Sequence, residues 1–474
     1  MSDLHELTAT EQVEAIRTRR VSSRELVDHY LDRIGRHDPT LSAFITVFAD
    51  EARRAADTAD AAVAAGEPLG LLHGLPLALK DLHASAGLRT TFGSAVFKDF
   101  VPAVDEPPIA NLRRAGAVVI GKTNVCEFGP TCYTDNELRG PTANPYAPSL
   151  SPSGSSGGAA AAVAAGLVGV AHGSDGLGSI RTPAANCGLV GFKTSRGRSA
   201  GSGVGWLALS VQGPLARTVA DAALFLDAMG GPSSSDLWHS PAIAPNAFRV
   251  AAATPPPAQL RIGRLLTPPT VDVDVHPDCL AAVDFAVAAL QAGGHEVVDV
   301  PPVPPALEVR DAIKVILSAG LGLTANLVIT HEQRALLMPY TRWLVEANTS
   351  TASEHAHAQA VLAAAAARFT ELVDDYDLLL TPTTTAPPLS NAELRADDAA
   401  DSFAAMGRWS AFTPGANLAG LPAVSLPVHH TADGAPIGIQ LVGQRFHDEL
   451  LMSVSAQLEQ HFTWQNRHPP AWVS

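Results

Sequence analysis

Residues 151–166 read SPSGSSGGAAAAVAAG and, after a short apolar link, residues 173–188 read GSDGLGSIRTPAANCG. In each, a Gly/Ser-rich turn sits beside an apolar run. Turns built on glycine let backbone N–H groups approach a ligand, because no side chain holds it away. A turn that runs into a helix also aims unpaired N–H groups at any negative charge in front of it. A flexible linker of this composition would be flanked by polar low-complexity sequence. Here an Ala/Val run follows directly and predicts a tightly packed, buried helix. A third segment, GLPLALKD (74–81), ends an apolar strand-like run on Lys80. Together the three segments carry Lys80, Ser155 and Ser179, and no convincing histidine-based or metal site competes with them.

Outward from these segments, TATE (8–11) and SSRE (22–25) are capping boxes that open two helices. An AFITV strand (43–47) and the helical run DEARRAADTADAAVAAGE (50–67) follow, so residues 1–65 are expected to form an N-terminal helical arm. From about residue 70, short Val/Ile/Leu strands alternate with helices: LPLAL (75–79), AVVIG (117–121), VGVA (168–171), LVGF (189–192), LRIGRLL (260–266), EVVDV (296–300) and DLLLT (377–381). That alternation predicts an α/β fold with a central, largely buried mixed sheet, covering residues 66–474 as one domain. Pro-rich stretches around 241–258 and 382–388 read as loops, and an Ala-rich helix is expected near 353–373.

Composition excludes several classes. A formal net charge of −15, with only short basic clusters such as RTRR (17–20), argues against a nucleic-acid partner, because phosphate binding needs clustered Lys and Arg. No stretch reaches the roughly 20 large apolar residues of a membrane span, and the N-terminus shows no apolar leader. Four cysteines without CxxC pairing suit reduced thiols in a cytoplasm. Seventeen histidines include no HExxH and no ligand cluster, so neither a metal nor a cofactor is expected. The segment GAVVIGKT (116–123) matches the phosphate-loop pattern letter for letter. Its four variable positions are Ala-Val-Val-Ile, which is a buried strand and cannot cradle a nucleotide.

The residues at 74–81, 151–166 and 173–188 point to nucleophilic catalysis. An alkyl hydroxyl attacks a carbonyl only when a neighbour takes its proton, and a lysine can do so only when neutral. Burial away from anions lowers a lysine's pKa toward neutrality.

At this point the chain resembles a family, the amidase signature hydrolases. The likeness rests on KD (80–81), GSSGG (154–158), the GSxxxGSIR pattern (173–181), GFK (191–193), GPLARTVAD (213–221), NLAGLPAVSLP (417–427) and GIQLVG (438–443). It implies a mixed sheet covered by helices on both faces, with the shared core in about residues 70–230 and 410–460. The region of about 305–415 would shape the substrate entrance. Carried over by position, Ser179 resembles the nucleophile, Ser155 the bridging serine that follows a cis peptide bond, and Lys80 the base. Gly176, Leu177 and Gly178 would supply oxyanion N–H groups, although the family usually has Gly-Gly where this chain has Leu177-Gly178. If the first glycine needs positive φ, Leu177 is strained or the turn reshaped, with Gly176 one place to absorb the change. Asp175 and Arg181 read as an ion pair holding the turn, or as a solvated pair.

Thr131, Cys132 and Tyr133 replace a small Gly-Ser-Ser turn of the family and, with Gly154, are expected to border the substrate. Tyr133 either narrows the pocket and stacks on an aromatic group or points outward. Met338, Tyr340, Trp343 and Trp409 make the entrance region apolar, through substrate contact or through core packing. The resemblance implies hydrolysis of a small-molecule carboxylic amide, with esters and carbamates as further substrates. The alternative is an amidotransferase A-type subunit releasing ammonia from glutamine or asparagine within a complex. A homodimer is left open.

Overall fold

The alternating pattern resolves, in a computed structural model that describes residues 4–200, 208–231 and 236–472, into an eleven-stranded mixed sheet flanked by helices. In chain order the strands are β1 (Phe44–Val47), β2 (Pro76–Lys80), β3 (Val118–Thr123), β4 (Val170–Asp175), β5 (Val190–Lys193), β6 (Val211–Ala216), β7 (Arg261–Arg264), β8 (Glu296–Asp299), β9 (Leu378–Pro382), β10 (Ala423–His430) and β11 (Pro436–Gly443). Their order across the sheet is β1-β3-β2-β4-β6-β5-β10-β11-β9-β7-β8. Parallel pairing joins β3, β2 and β4 on one side and β8, β7 and β9 on the other. Antiparallel steps link β4 through β6, β5, β10 and β11 to β9.

Every residue of β2, β3, β4, β5 and β6 is buried, which is why these strands read as unbroken apolar runs rather than alternating ones. The charged residues among them sit together. Lys80, Asp175 and Lys193 are the last residues of β2, β4 and β5, and Lys122 is one short of the end of β3. These four strands point the same way, so their buried charges gather along one edge. In open α/β sheets the crevice outside the carboxyl ends of parallel strands is where ligands bind.

Both expected capping boxes form, Thr8 with Glu11 and Ser22 with Glu25, opening helices Ala9–Arg17 and Ser23–Leu41. The N-terminal arm also contributes β1, which pairs antiparallel with β3 at the sheet edge. Its Val13, Ile16, Leu26 and Tyr30 pack into the same hydrophobic cluster as Leu77, Ala160 and Leu441. GAVVIGKT forms strand β3 after helix Pro107–Arg114, and Lys122 Nζ donates to the His83 carbonyl (2.6 Å) and Ser85 Oγ (2.8 Å). A second cluster, built from Tyr133, Ile313, Leu317, Tyr340, Leu344, Met406 and Trp409, holds the 305–415 region together.

Helix Gly157–Ala164 is buried along its whole length. Its composition follows from how closely it is approached: a Cβ on Gly158 would lie 2.4 Å from both the N and the O of Asn124. Gly158→Ala should therefore force the helix off the sheet, with a loss of about 3 kcal/mol or more, read from denaturant unfolding. An unchanged midpoint would contradict this packing.

Candidate active site

Lys80 ends β2 with its amine fully enclosed. Its Nζ donates to Ser155 Oγ (2.9 Å) and to the Ser174 carbonyl (3.0 Å). Burial pushes its pKa down from 10.5 to about 7, and the nearby Cys126 and Asp175 only partly oppose the shift. Two further lysines are buried on the same edge. Lys193 Nζ meets the carbonyls of Leu421 (2.6 Å) and Thr194 (3.1 Å), and Lys122 bonds to the carbonyl of His83 and to Ser85. Among the described residues, Lys80 is the one lysine hydrogen-bonded to a serine of the cavity.

Ser155 follows a cis Gly154–Ser155 peptide bond, the geometry implied by the family resemblance, and is 2 % exposed. Ser179 lies in the turn between β4 and helix Arg181–Asn186 and is half-buried. Both serines line one cavity of about 490 Å³, with Lys80 behind Ser155. Among the described residues, no hydrogen bond joins the Ser155 hydroxyl to that of Ser179.

The turn carrying Ser179 is organised by Asp175. Asp175 and Arg181 are both 0 % exposed and form a two-armed pair, Nε to Oδ2 and Nη2 to Oδ1, each 2.9 Å. A solvated pair is thereby ruled out. Burial alone would raise the Asp175 carboxyl, but the Arg181 charge and hydrogen bonds hold it well below the usual carboxylate range. The same carboxylate accepts N–H groups from Gly178 (2.7 Å), Ile180 (3.2 Å) and Arg181 (3.4 Å). Asn417 Nδ2 donates to both its carbonyl and Oδ1, at 2.9 Å each. Arg181 in turn reaches the Thr413 carbonyl (2.9 Å) and Gln440 Oε1 (2.5 Å). Asn417 and Gln440 belong to the two C-terminal motifs, and nothing in their spacing announced this role.

Two expectations for the turn are corrected. The positive φ falls on Gly178 (+135°), not on Leu177 or Gly176, so Leu177 is unstrained where the family has glycine. Gly178 cannot supply an oxyanion donor, because the Asp175 carboxylate already holds its N–H. The N–H groups of Gly176, Leu177 and Ser179 have no acceptor among the described residues.

Thr131, Cys132 and Gly154 line the cavity, but Tyr133 does not. It is 4 % exposed and packs in the second core cluster, neither reaching the cavity nor pointing outward. Tyr340, Trp343 and Trp409 likewise serve that cluster, and Met338 also stays off the cavity wall. The apolar walls come instead from Phe128, Val309, Ile313, Leu317, Phe403 and Met406. Val309, Ile313 and Leu317 repeat every four residues on helix Glu308–Leu327, a stripe the sequence did carry. Among the described residues, no group of three or more His, Cys, Asp or Glu is placed to hold a metal ion, and no helix is long and apolar enough to cross a membrane.

The profile of the family described as Amidase matches residues 25–452. This chain belongs to the amidase family. It is 36% identical over 479 residues to the A-type component of a glutamyl-tRNA(Gln) amidotransferase of Synechococcus sp. (strain CC9311), covering 95% of this chain and 96% of that one. It is 32% identical over 478 residues to an acylamidase of Rhodococcus erythropolis, covering 98% of each. Among solved structures, a bacterial aryl acylamidase of the amidase signature family superposes with a TM-score of 0.91 at 28% identity over the full length of both chains. The amidase fold is thus the one that the motif order implies.

Removing Arg181 from this amidase would strand the Asp175 carboxylate in the interior. Arg181→Ala should lower stability by about 3 to 5 kcal/mol, measured by chemical denaturation; a loss under about 1 kcal/mol would mean the pair is not the anchor described.

Proposed function

We propose that this amidase hydrolyses carboxylic amides through an acyl-enzyme on Ser179, with Ser155 and Lys80 as the proton relay. The observation that carries the reading is the enclosed Lys80 amine, held near neutrality by burial and hydrogen-bonded to a serine of the cavity. Neutral Lys80 takes the Ser155 proton, Ser155 takes that of Ser179, and Ser179 Oγ adds to the carbonyl carbon. As the tetrahedral intermediate collapses, the C–N bond breaks and the relay returns the proton to the departing amine. Water then enters by the same relay and cleaves the acyl ester, releasing the acid and free Ser179. The oxyanion is met by the unpaired N–H groups of Gly176, Leu177 and Ser179, where losing one donor typically costs about 3 to 4 kcal/mol of barrier. Esters and carbamates pass through the same kind of intermediate and fit the same relay.

The cavity favours an uncharged substrate body. Its charged lining residues, Asp272, Arg310 and Arg408, are all exposed, and its inner walls are apolar. A zwitterionic amino acid would enter without a buried counter-charge, at a substantial desolvation cost. The identity with the amidotransferase component favours a second reading, release of ammonia from glutamine within a complex, but the apolar lining weighs against it. Glutaminase activity together with a co-purifying partner protein would reverse that ranking. The four cysteines are free thiols, three of them buried, which fits a reducing cytoplasm.

Ser179→Ala should abolish turnover of anilides and aliphatic amides in a steady-state assay, whereas chelators should leave it unchanged. Full activity in that variant would overturn the mechanism. Lys80→Ala should lower kcat by about 10²- to 10⁴-fold.

Because only the neutral amine accepts a proton, kcat/KM should rise with pH through about 7. A flat profile across neutral pH would exclude Lys80 as the base. The same shift has a stability sign. The folded value, about 7, lies below the ordinary 10.5, so unfolding takes up a proton between those pH values, and the penalty is fully felt below pH 7. Lys80→Met should therefore raise the thermal midpoint on the acid side of that value while lowering kcat as Lys80→Ala does.

A further inference from the structure

Met406 sits where two parts of the molecule meet, and no motif singled it out. It belongs to helix Ala399–Trp409, is 4 % exposed and lines the cavity together with Phe403 and Gly407 of that helix and Ser410 at its C-terminal cap. Its thioether sulfur accepts the backbone N–H of Cys132 at 3.0 Å. The Met406 carbonyl accepts the Ser410 hydroxyl (2.8 Å), and Cys132 Sγ lies 3.7 Å from that same hydroxyl. On the other side, the Cys132 carbonyl accepts Ser153 Oγ at 3.2 Å, two residues before Ser155. A continuous path of contacts therefore runs from the entrance helix, through the Met406 sulfur and the 131–133 turn, to the segment that presents Ser155.

A methionine ordinarily has three freely turning side-chain bonds and adapts to what it touches. Here its sulfur is tied to a backbone N–H, and the N–H would lose its acceptor if the side chain swung away. The same cavity is lined by Val309, Ile313 and Leu317, on a helix whose buried stripe packs in the same cluster as Met406. Met406 thus presents one large apolar side chain to the cavity.

We infer that Met406, pinned by the Cys132 N–H, is a specificity-determining residue: it gauges the size of the apolar substrate group that can reach Ser179. This rests on the amide-hydrolase reading and adds to it a substrate class, amides whose group on this side is uncharged, apolar and of limited bulk. Met406 takes part in no bond making. Its effect is on which substrates fit, so it should alter the ranking of substrates and not the chemistry they undergo.

The test compares two substrate series. One varies the acyl group from acetyl through butyryl to benzoyl and naphthoyl on a common aniline; the other varies the amine on a common acyl group. Met406→Ala should raise kcat/KM for the bulkiest member relative to the smallest by about tenfold or more in one of the two series. Met406→Leu, which conserves volume but loses the sulfur acceptor, should keep the parental ranking within about threefold. If Met406→Ala does not fold by circular dichroism and thermal melting, Met406→Val carries the same test with a smaller shift in the same direction. An unchanged ranking in both series for a folded variant overturns the inference. So does a Met406→Leu ranking shifted as far as that of Met406→Ala, because bulk would then not be what decides. The Ser179→Ala protein serves as blank. Parental activity that survives in that blank refutes the hydrolase mechanism, whereas abolished activity with an unmoved ranking refutes only the role of Met406.

Discussion

A carboxylate with no water around it must have each lone pair met by a donor, and Asp175 meets this constraint by drawing in the surrounding site. Its two oxygens take the Arg181 guanidinium, three backbone N–H groups of the turn carrying Ser179 and the Asn417 amide. The turn after β4 can adopt few other shapes while those bonds are kept. Arg181 extends the hold to Thr413 and Gln440, so segments far apart in the chain are tied to one ion pair. Breaking such a pair by removing one partner leaves an uncompensated charge in a low-dielectric interior, which is far worse than never having buried it.

The opposite use of burial is made a few residues away. Lys80 is also fully enclosed, but among the described residues no carboxylate is hydrogen-bonded to it; its partners are a hydroxyl and a carbonyl. The same desolvation that Asp175 overcomes with a guanidinium therefore shifts Lys80 toward its neutral form. Two buried charges at the ends of β2 and β4 are thus set apart by their partners alone. One is held in its ionised form and shapes the turn, and the other is pushed toward its neutral form.

The parallel trio β3-β2-β4 explains why these groups meet. Lys80 and Asp175 are distant in sequence, yet both lie at the carboxyl ends of neighbouring strands, where the chain leaves the sheet and side chains can converge. The helix Gly157–Ala164, made of little but glycine and alanine, lets the segment carrying Ser155 lie against the strand ends. Entrance residues on the helices Glu308–Leu327 and Ala399–Trp409 then close the cavity with apolar walls.

Local chemistry was enough to read the helix caps at Thr8 and Ser22, the buried strands and the strand nature of GAVVIGKT, and to single out Lys80, Ser155 and Ser179 as candidates. Each of these is written in a short stretch: a capping box, an unbroken apolar run, a glycine-bearing turn beside such a run. The amino-acid order left undecided whether Asp175 and Arg181 are enclosed, where the positive φ of the turn carrying Ser179 falls and which N–H groups there stay free. It also did not settle which of Tyr133, Trp343 or Met406 faces the cavity. These questions turn on which side chain meets which across the fold. Tyr133 lies one residue from a cavity-lining cysteine and still belongs to the core. Gly178, not Leu177, carries the left-handed backbone because the Asp175 carboxylate draws its N–H inward. Packing settles such matters, because burial and hydrogen-bond partnership belong to the assembly of distant segments and not to any one stretch of chain.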